Sequence, residues 1–184
     1  MTSKERYPGD RCFKFCKHLT DSVKRETNVH AFKLLVLDHF VSLHSDLVHY
    51  YTEGSKTDDG VGCAVVFHNI QHQLKMNKNT SIFTAKLRAI CDTLKLINDN
   101  PNCNFTVLTD SRSALQAIEI NNSDHAISSN IRDWLIQLQS HHKTIHLCWV
   151  SSHIDIAGNE RADQEARAPI TNGVFTSGAI LDRD

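Results

Sequence analysis

The chain has no run of about 18 consecutive apolar residues, so no helix is expected to span a bilayer. Its N-terminus carries no charged-then-apolar leader pattern, and an intracellular protein of the cytoplasm or nucleus is expected. No internal repeat is present. An excess of positive charge is missing too. Lys and Arg number 20 against 21 Asp and Glu, for a net charge of −1. Residues 50–168 hold eleven basic against thirteen acidic side chains, and the only basic bias lies in residues 1–33, with eight against four. The counter-ion release that drives most phosphate-backbone binding is therefore modest, which argues against tight autonomous binding to nucleic acid. Cysteines framed by turns are also absent. The six present (Cys12, Cys16, Cys63, Cys91, Cys103, Cys148) sit in apolar stretches, the pattern of reduced thiols.

What is present suffices for one globular domain of 184 residues with 40% hydrophobic content. A domain this size buries roughly 70% of the surface its unfolded chain exposes, and needs no metal or disulfide staple. Residues 50–52 lead through Gly54-Ser55 to the hairpin turn Asp58-Asp59-Gly60, and Val61 to His68 reads as a buried strand. Residues 72–77 form a weaker third strand. From Ser81 to Ile97, Leu87, Ile90, Leu94 and Ile97 recur at helical spacing, with Ser81 as cap and Pro101 beyond the end. Residues 104–109 are a strand, and Asp110-Ser111 open a helix through Ile120. A helix over 127–139 buries Ile131, Trp134, Leu135 and Leu138. Thr144 to Val150 is a fifth strand, and Ala157 to Arg167 a closing helix. Three strands, a helix, a strand, two helices, a strand and a helix specify an α/β fold, a mixed sheet covered by helices. The expected organisation is an N-terminal extension over 1–47, partly helical at 31–47, the domain over 48–168, and a disordered tail over 169–184.

Four strings carry chemistry: Tyr51-Thr52-Glu53-Gly54-Ser55, Thr84-Ala85-Lys86-Leu87-Arg88, Leu108-Thr109-Asp110-Ser111, and Trp149-Val150-Ser151-Ser152-His153 running into Gly158-Asn159-Glu160-Arg161-Ala162-Asp163. Taken singly, each has an ordinary explanation. Glu53 is a strand glutamate before a turn, Asp110 an N-cap, Asp163 a solvated helix acid, and His153 one of twelve histidines. Taken together, carboxylates from separate segments beside a histidine are what metal-assisted phosphodiester hydrolysis needs. The strings resemble the type 1 ribonuclease H domain, particularly that of non-LTR retrotransposon polyproteins. The resemblance covers roughly residues 48–168.

The resemblance implies the ribonuclease H-like fold, a five-stranded mixed sheet whose first three strands are antiparallel. It implies an endonuclease that cuts the RNA strand of RNA–DNA hybrids with two Mg2+ or Mn2+ ions. It places Glu53, Asp110 and Asp163 at metal-ligand positions, Glu160 at the helix start, and His153 at the residue that handles a proton or product release. Gly54, Ser55, Ser111 and Arg112 take positions beside the hybrid, read through its 2′-hydroxyls and phosphates. A reverse transcriptase accompanies such a domain in its parental polyprotein, and a monomer is expected.

Departures from the family pattern bear on activity. Glu53 stands where the family has Asp, displacing the carboxylate by one methylene, more than the roughly 0.5 Å tolerance of a catalytic constellation. Asp155 replaces a frequent glycine after His153, and Asn121 to His125 hold no basic handle. Lys86 stands where the family has Glu, and no acid lies one turn away, where Phe83 and Ile90 stand. An ammonium removes a ligand and repels the incoming ion, so the site is reduced to one ion or none. The alternative is a Lys86 that snorkels to solvent and leaves one ion bound. Hybrid endonuclease with severely reduced cleavage, inactive hybrid-binding or protein-interaction module, and transposase-like nuclease remain as readings. The closing helix and the His153 loop speak against the last.

Overall fold

The computed structural model describes residues 13–15, 47–120, 125–152 and 156–172. The expected amphipathic segment 31–47, apart from Leu47, lies outside the described residues, as do Asn121 to Asp124, His153, Asp155 and the tail from 173.

Among the described residues ten elements follow one another: β1 (Phe13–Phe15), β2 (Val48–Thr57), β3 (Gly60–Phe67), β4 (Ile70–Met76), α1 (Ile82–Asp99), β5 (Asn104–Thr109), α2 (Arg112–Glu119), α3 (Ala126–Ser140), β6 (Thr144–Trp149) and α4 (Ala157–Asn172). The strands form one mixed sheet in the order β1-β6-β5-β2-β3-β4. Hairpins join β2, β3 and β4 antiparallel, while β5 and β6 lie parallel to β2 through helical crossovers. The five expected strands are present with three antiparallel strands first. A sixth, β1, pairs in parallel with β6 at the sheet edge. Three residues are too few for a period to show, so β1 was invisible to pattern reasoning.

Strand alternation sorts the sheet into two faces. One carries Tyr50, Val65, Phe105, Val107, Ile145 and Leu147, which share a core with Leu87, Ile90, Leu94 and Ile97 of α1 and Ile131, Leu135 and Leu138 of α3. The apolar stripes read from the helical period are thus the buried ones, with Trp134 half-buried at the margin. The opposite face of β2 and β3 is covered by α4. Here Gly62 meets Ala166, Pro169 and Ile170 so closely that a Cβ would stand 2.2 Å from the Ala166 carbonyl oxygen.

α4 runs on to Asn172, beyond the Arg167 end expected from sequence, with Pro169 inside it. A proline in a helix forfeits one backbone bond. Packing of Pro169 and Ile170 against Gly62, and the Lys75 Nζ donating to the Ile170 carbonyl at 3.1 Å, hold the extra turn. One cysteine also departs from expectation. Cys63, Cys91 and Cys103 are free thiols, but Cys148 is disulfide-bonded.

Candidate functional site

Glu53 and Asp110 meet because of strand register. β2 and β5 are parallel neighbours with Thr52 opposite Thr109, so the next residue on each strand, Glu53 and Asp110, comes out side by side. The Thr52 hydroxyl donates to the Leu108 carbonyl at 2.9 Å and locks that register from within. At Asp110 the chain leaves the sheet, and Ser111 caps α2 by accepting from the Ala114 N–H at 3.2 Å. Strand ends that turn into helix starts commonly place reactive side chains at the carboxyl edge of an α/β sheet.

Lys86 arrives from the other side. Ser81 caps α1 by accepting the Thr84 N–H at 3.0 Å, so Lys86 lies in the second turn, above β2. Gly54 lets it lie there. A Cβ at Gly54 would stand 3.0 Å from Ala85 Cβ, Lys86 Cγ and Lys86 N, so the lysine stem runs where a side chain would otherwise be. Its Nζ then reaches Glu53 Oε2 at 3.2 Å and donates to Asp110 Oδ1. Only 15% of the Lys86 side chain is exposed, so it does not snorkel away from the acids.

Burial pushes the Glu53 carboxyl up to about 8, and the neighbouring Asp110 adds to this while Lys86 offsets part of it. Burial works to lower Lys86, but Glu53 and Asp110 outweigh it and hold the ammonium above its ordinary value. Near neutral pH the pocket therefore centres on an Asp110–Lys86 ion pair, with a largely protonated Glu53 beside it.

Other side chains fix Asp110. Its Oδ2 accepts from the Ser152 hydroxyl at 3.0 Å, and its carbonyl accepts from the Trp149 indole Nε1–H at 2.8 Å. The Arg112 guanidinium lies over the Trp149 ring, 3.9 Å from its centroid. Nothing local in the sequence shows that Trp149 and Ser152 fold onto Asp110.

The remaining positions make other contacts. Asp163, a quarter exposed, pairs with Arg167 one turn on in α4, with Nη2 to Oδ2 at 2.8 Å. Glu160 lies in the first turn of that helix. Gly158 is pressed against Tyr51 of β2, where a Cβ would stand 2.3 Å from the ring, so the Gly-Asn-Glu string docks the helix onto the site strand. Ser55 is buried near the end of β2, and the Ser111 hydroxyl is committed to its cap and to Ser113 at 3.2 Å. Arg112 is exposed at the start of α2. Asp92 is buried and held by Arg88 at 3.0 Å and Lys95 at 2.9 Å.

Residues 45–171 match the RNase H family, a span of well over half the chain, and the chain belongs to that family. The family comprises magnesium-using hydrolases that act on RNA–DNA hybrids. No curated protein matches the chain. Among the described residues, none of the helices is long and apolar enough to cross a membrane.

The described residues do not fit the magnesium that the family generally uses. Magnesium requires about six oxygen ligands in strict octahedral array. Here Asp110 spends one oxygen on the lysine and the other on Ser152, and residue 86 is itself a cation. Among the described residues no group of three or more His, Cys, Asp or Glu side chains is placed to hold a metal ion.

Proposed function

We propose that this chain is a ribonuclease H domain of retrotransposon origin that binds RNA–DNA hybrid and cleaves its RNA strand at a severely reduced rate. The observation that carries this reading is the Lys86 ammonium between Glu53 and Asp110. In that position it satisfies the two carboxylates that would otherwise draw a divalent ion. An ammonium has no water to activate as nucleophile, so the part of the reaction that depends on a metal-bound hydroxide is lost.

In this reading Glu53, Asp110 and Asp163 hold the positions of the former metal ligands, and His153 that of the proton-handling residue. Gly54, Ser55, Ser111 and Arg112 border the hybrid. Arg112 is the best placed of these to meet a phosphate, being exposed and stacked on Trp149. The protein works as a monomer inside the cell, and a reverse transcriptase belonged to its parental polyprotein. An inactive hybrid-binding or protein-interaction module is the second reading, favoured by the same lysine.

Hybrid cleavage with Mg2+ and with Mn2+ tests the proposal, comparing the native chain with Lys86→Glu and Glu53→Asp/Lys86→Glu. Little cleavage by the native chain and a gain in the double variant are expected. Native activity equal to that of the double variant would refute impairment. No hybrid cleavage or binding by any form would leave only the protein-interaction role.

A further inference from the structure

We propose that Lys86 acts as a tethered counter-ion that makes the hybrid grip of this domain independent of divalent metal. This rests on the hybrid-binding reading above and assigns how the same site is regulated.

Charge and position carry the inference. A charged carboxylate at a phosphodiester site repels the phosphate unless a cation stands with it, and here Asp110 carries that charge beside a largely protonated Glu53. In this fold the cation is covalently attached. Its stem occupies the space left by Gly54, and its head contacts both acids. An ammonium has three donors, and the two carboxylates engage two. The third is the group that meets a phosphate oxygen.

A diffusible magnesium ion competes poorly for this place. It must shed tightly held water, displace an ion pair at Asp110, and accept an incomplete ligand set. The pocket is thereby neutralised in advance, and chelation removes nothing from it. Arg88 and Lys95 do not serve in the same way, because both are paired with Asp92.

The test is hybrid binding followed by anisotropy of a short fluorescein-labelled RNA–DNA duplex, in EDTA or in millimolar Mg2+ at matched ionic strength. The native chain is expected to change Kd by less than about threefold between the two conditions. Lys86→Gln is expected to bind about tenfold or more weakly in EDTA and to recover with Mg2+, because Asp110 then faces the phosphate uncompensated. Lys86→Arg keeps the charge and is expected to bind in EDTA. Melting curves without nucleic acid provide a second readout. Mg2+ and Mn2+ leave the native Tm unchanged and raise that of Lys86→Glu.

Native binding that requires Mg2+, or a native Tm raised by the metal as in Lys86→Glu, overturns the tethered counter-ion while leaving hybrid recognition intact. Absence of hybrid binding in both buffers refutes the hybrid-binding reading itself, and this inference with it. If Lys86→Gln does not fold, the native chain and Lys86→Arg still decide the matter by their response to EDTA.

Discussion

Replacing Lys86 with methionine keeps an apolar stem over Gly54 and deletes the charge between the two acids. The consequence follows from what each acid then has left. Glu53, pushed up to about 8 by burial and by Asp110, is already largely protonated near neutral pH and carries little charge to strand. Asp110 keeps the Ser152 hydroxyl at 3.0 Å but loses its counter-ion, with a side chain only 13% exposed. Breaking a fully buried pair costs roughly 3–5 kcal/mol and losing an exposed one roughly 0–1 kcal/mol. Asp110 stands between these limits, which places the loss at about 2–3 kcal/mol. For a chain of this size the Tm should fall by roughly 5–10 °C at neutral pH. Calorimetry or urea unfolding reads this directly. Adding Asp110→Asn removes the stranded charge, so Lys86→Met/Asp110→Asn is expected to recover most of the loss, a non-additivity reporting the pair itself. A Lys86→Met protein that melts with the native chain, or a double variant worse than the sum of its parts, would refute the ion-pair account.

Three further outcomes are expected. Glu53 titrates from an ordinary 4.5 to about 8 in the folded state, so its contribution is complete below the lower value and lost as pH rises through the upper one. Native stability in urea should therefore decline between these values by at most about 5 kcal/mol, and Glu53→Gln should flatten that decline. Gly158→Ala puts a Cβ 2.3 Å from the Tyr51 ring and should cost about 1–3 kcal/mol in thermal unfolding, by prising α4 off β2. Lys143 donates to the carbonyls of Ile97 at 2.8 Å, Asn100, and Asn102 at 3.5 Å beyond the end of α1. Lys143→Met should cost about 1–2 kcal/mol by the same measure and speed amide exchange in the last turn of that helix.

Much of the fold was legible because its signals are local. The stripe of Leu87, Ile90, Leu94 and Ile97 declares a helix face from one segment, and all four are fully buried. Ser81 and Ser111 announce helix starts through their own hydroxyls, and both caps are made. What was not legible depends on partners distant in sequence. The last turn of α4 survives Pro169 because Gly62, more than a hundred residues earlier, offers a face without a side chain. Strand β1 exists because β6 offers it an edge, not because three residues prefer extended structure. Trp149 and Ser152 become supports for Asp110 only when the parallel register of β5 and β6 sets their strand ends side by side.

The sequence by itself determined the family, the order of the elements, and the fact that no acid stands one helical turn from Lys86. Residue identity and spacing suffice for these. The tertiary structure alone decided where the ammonium goes, because that depends on the room left by Gly54 and on the register that brings Glu53 beside Asp110. A lysine at that position has stem enough to reach solvent or the acids. Two partnered carboxylates in a half-dry pocket attract it more strongly than water does, and the ammonium turns inward.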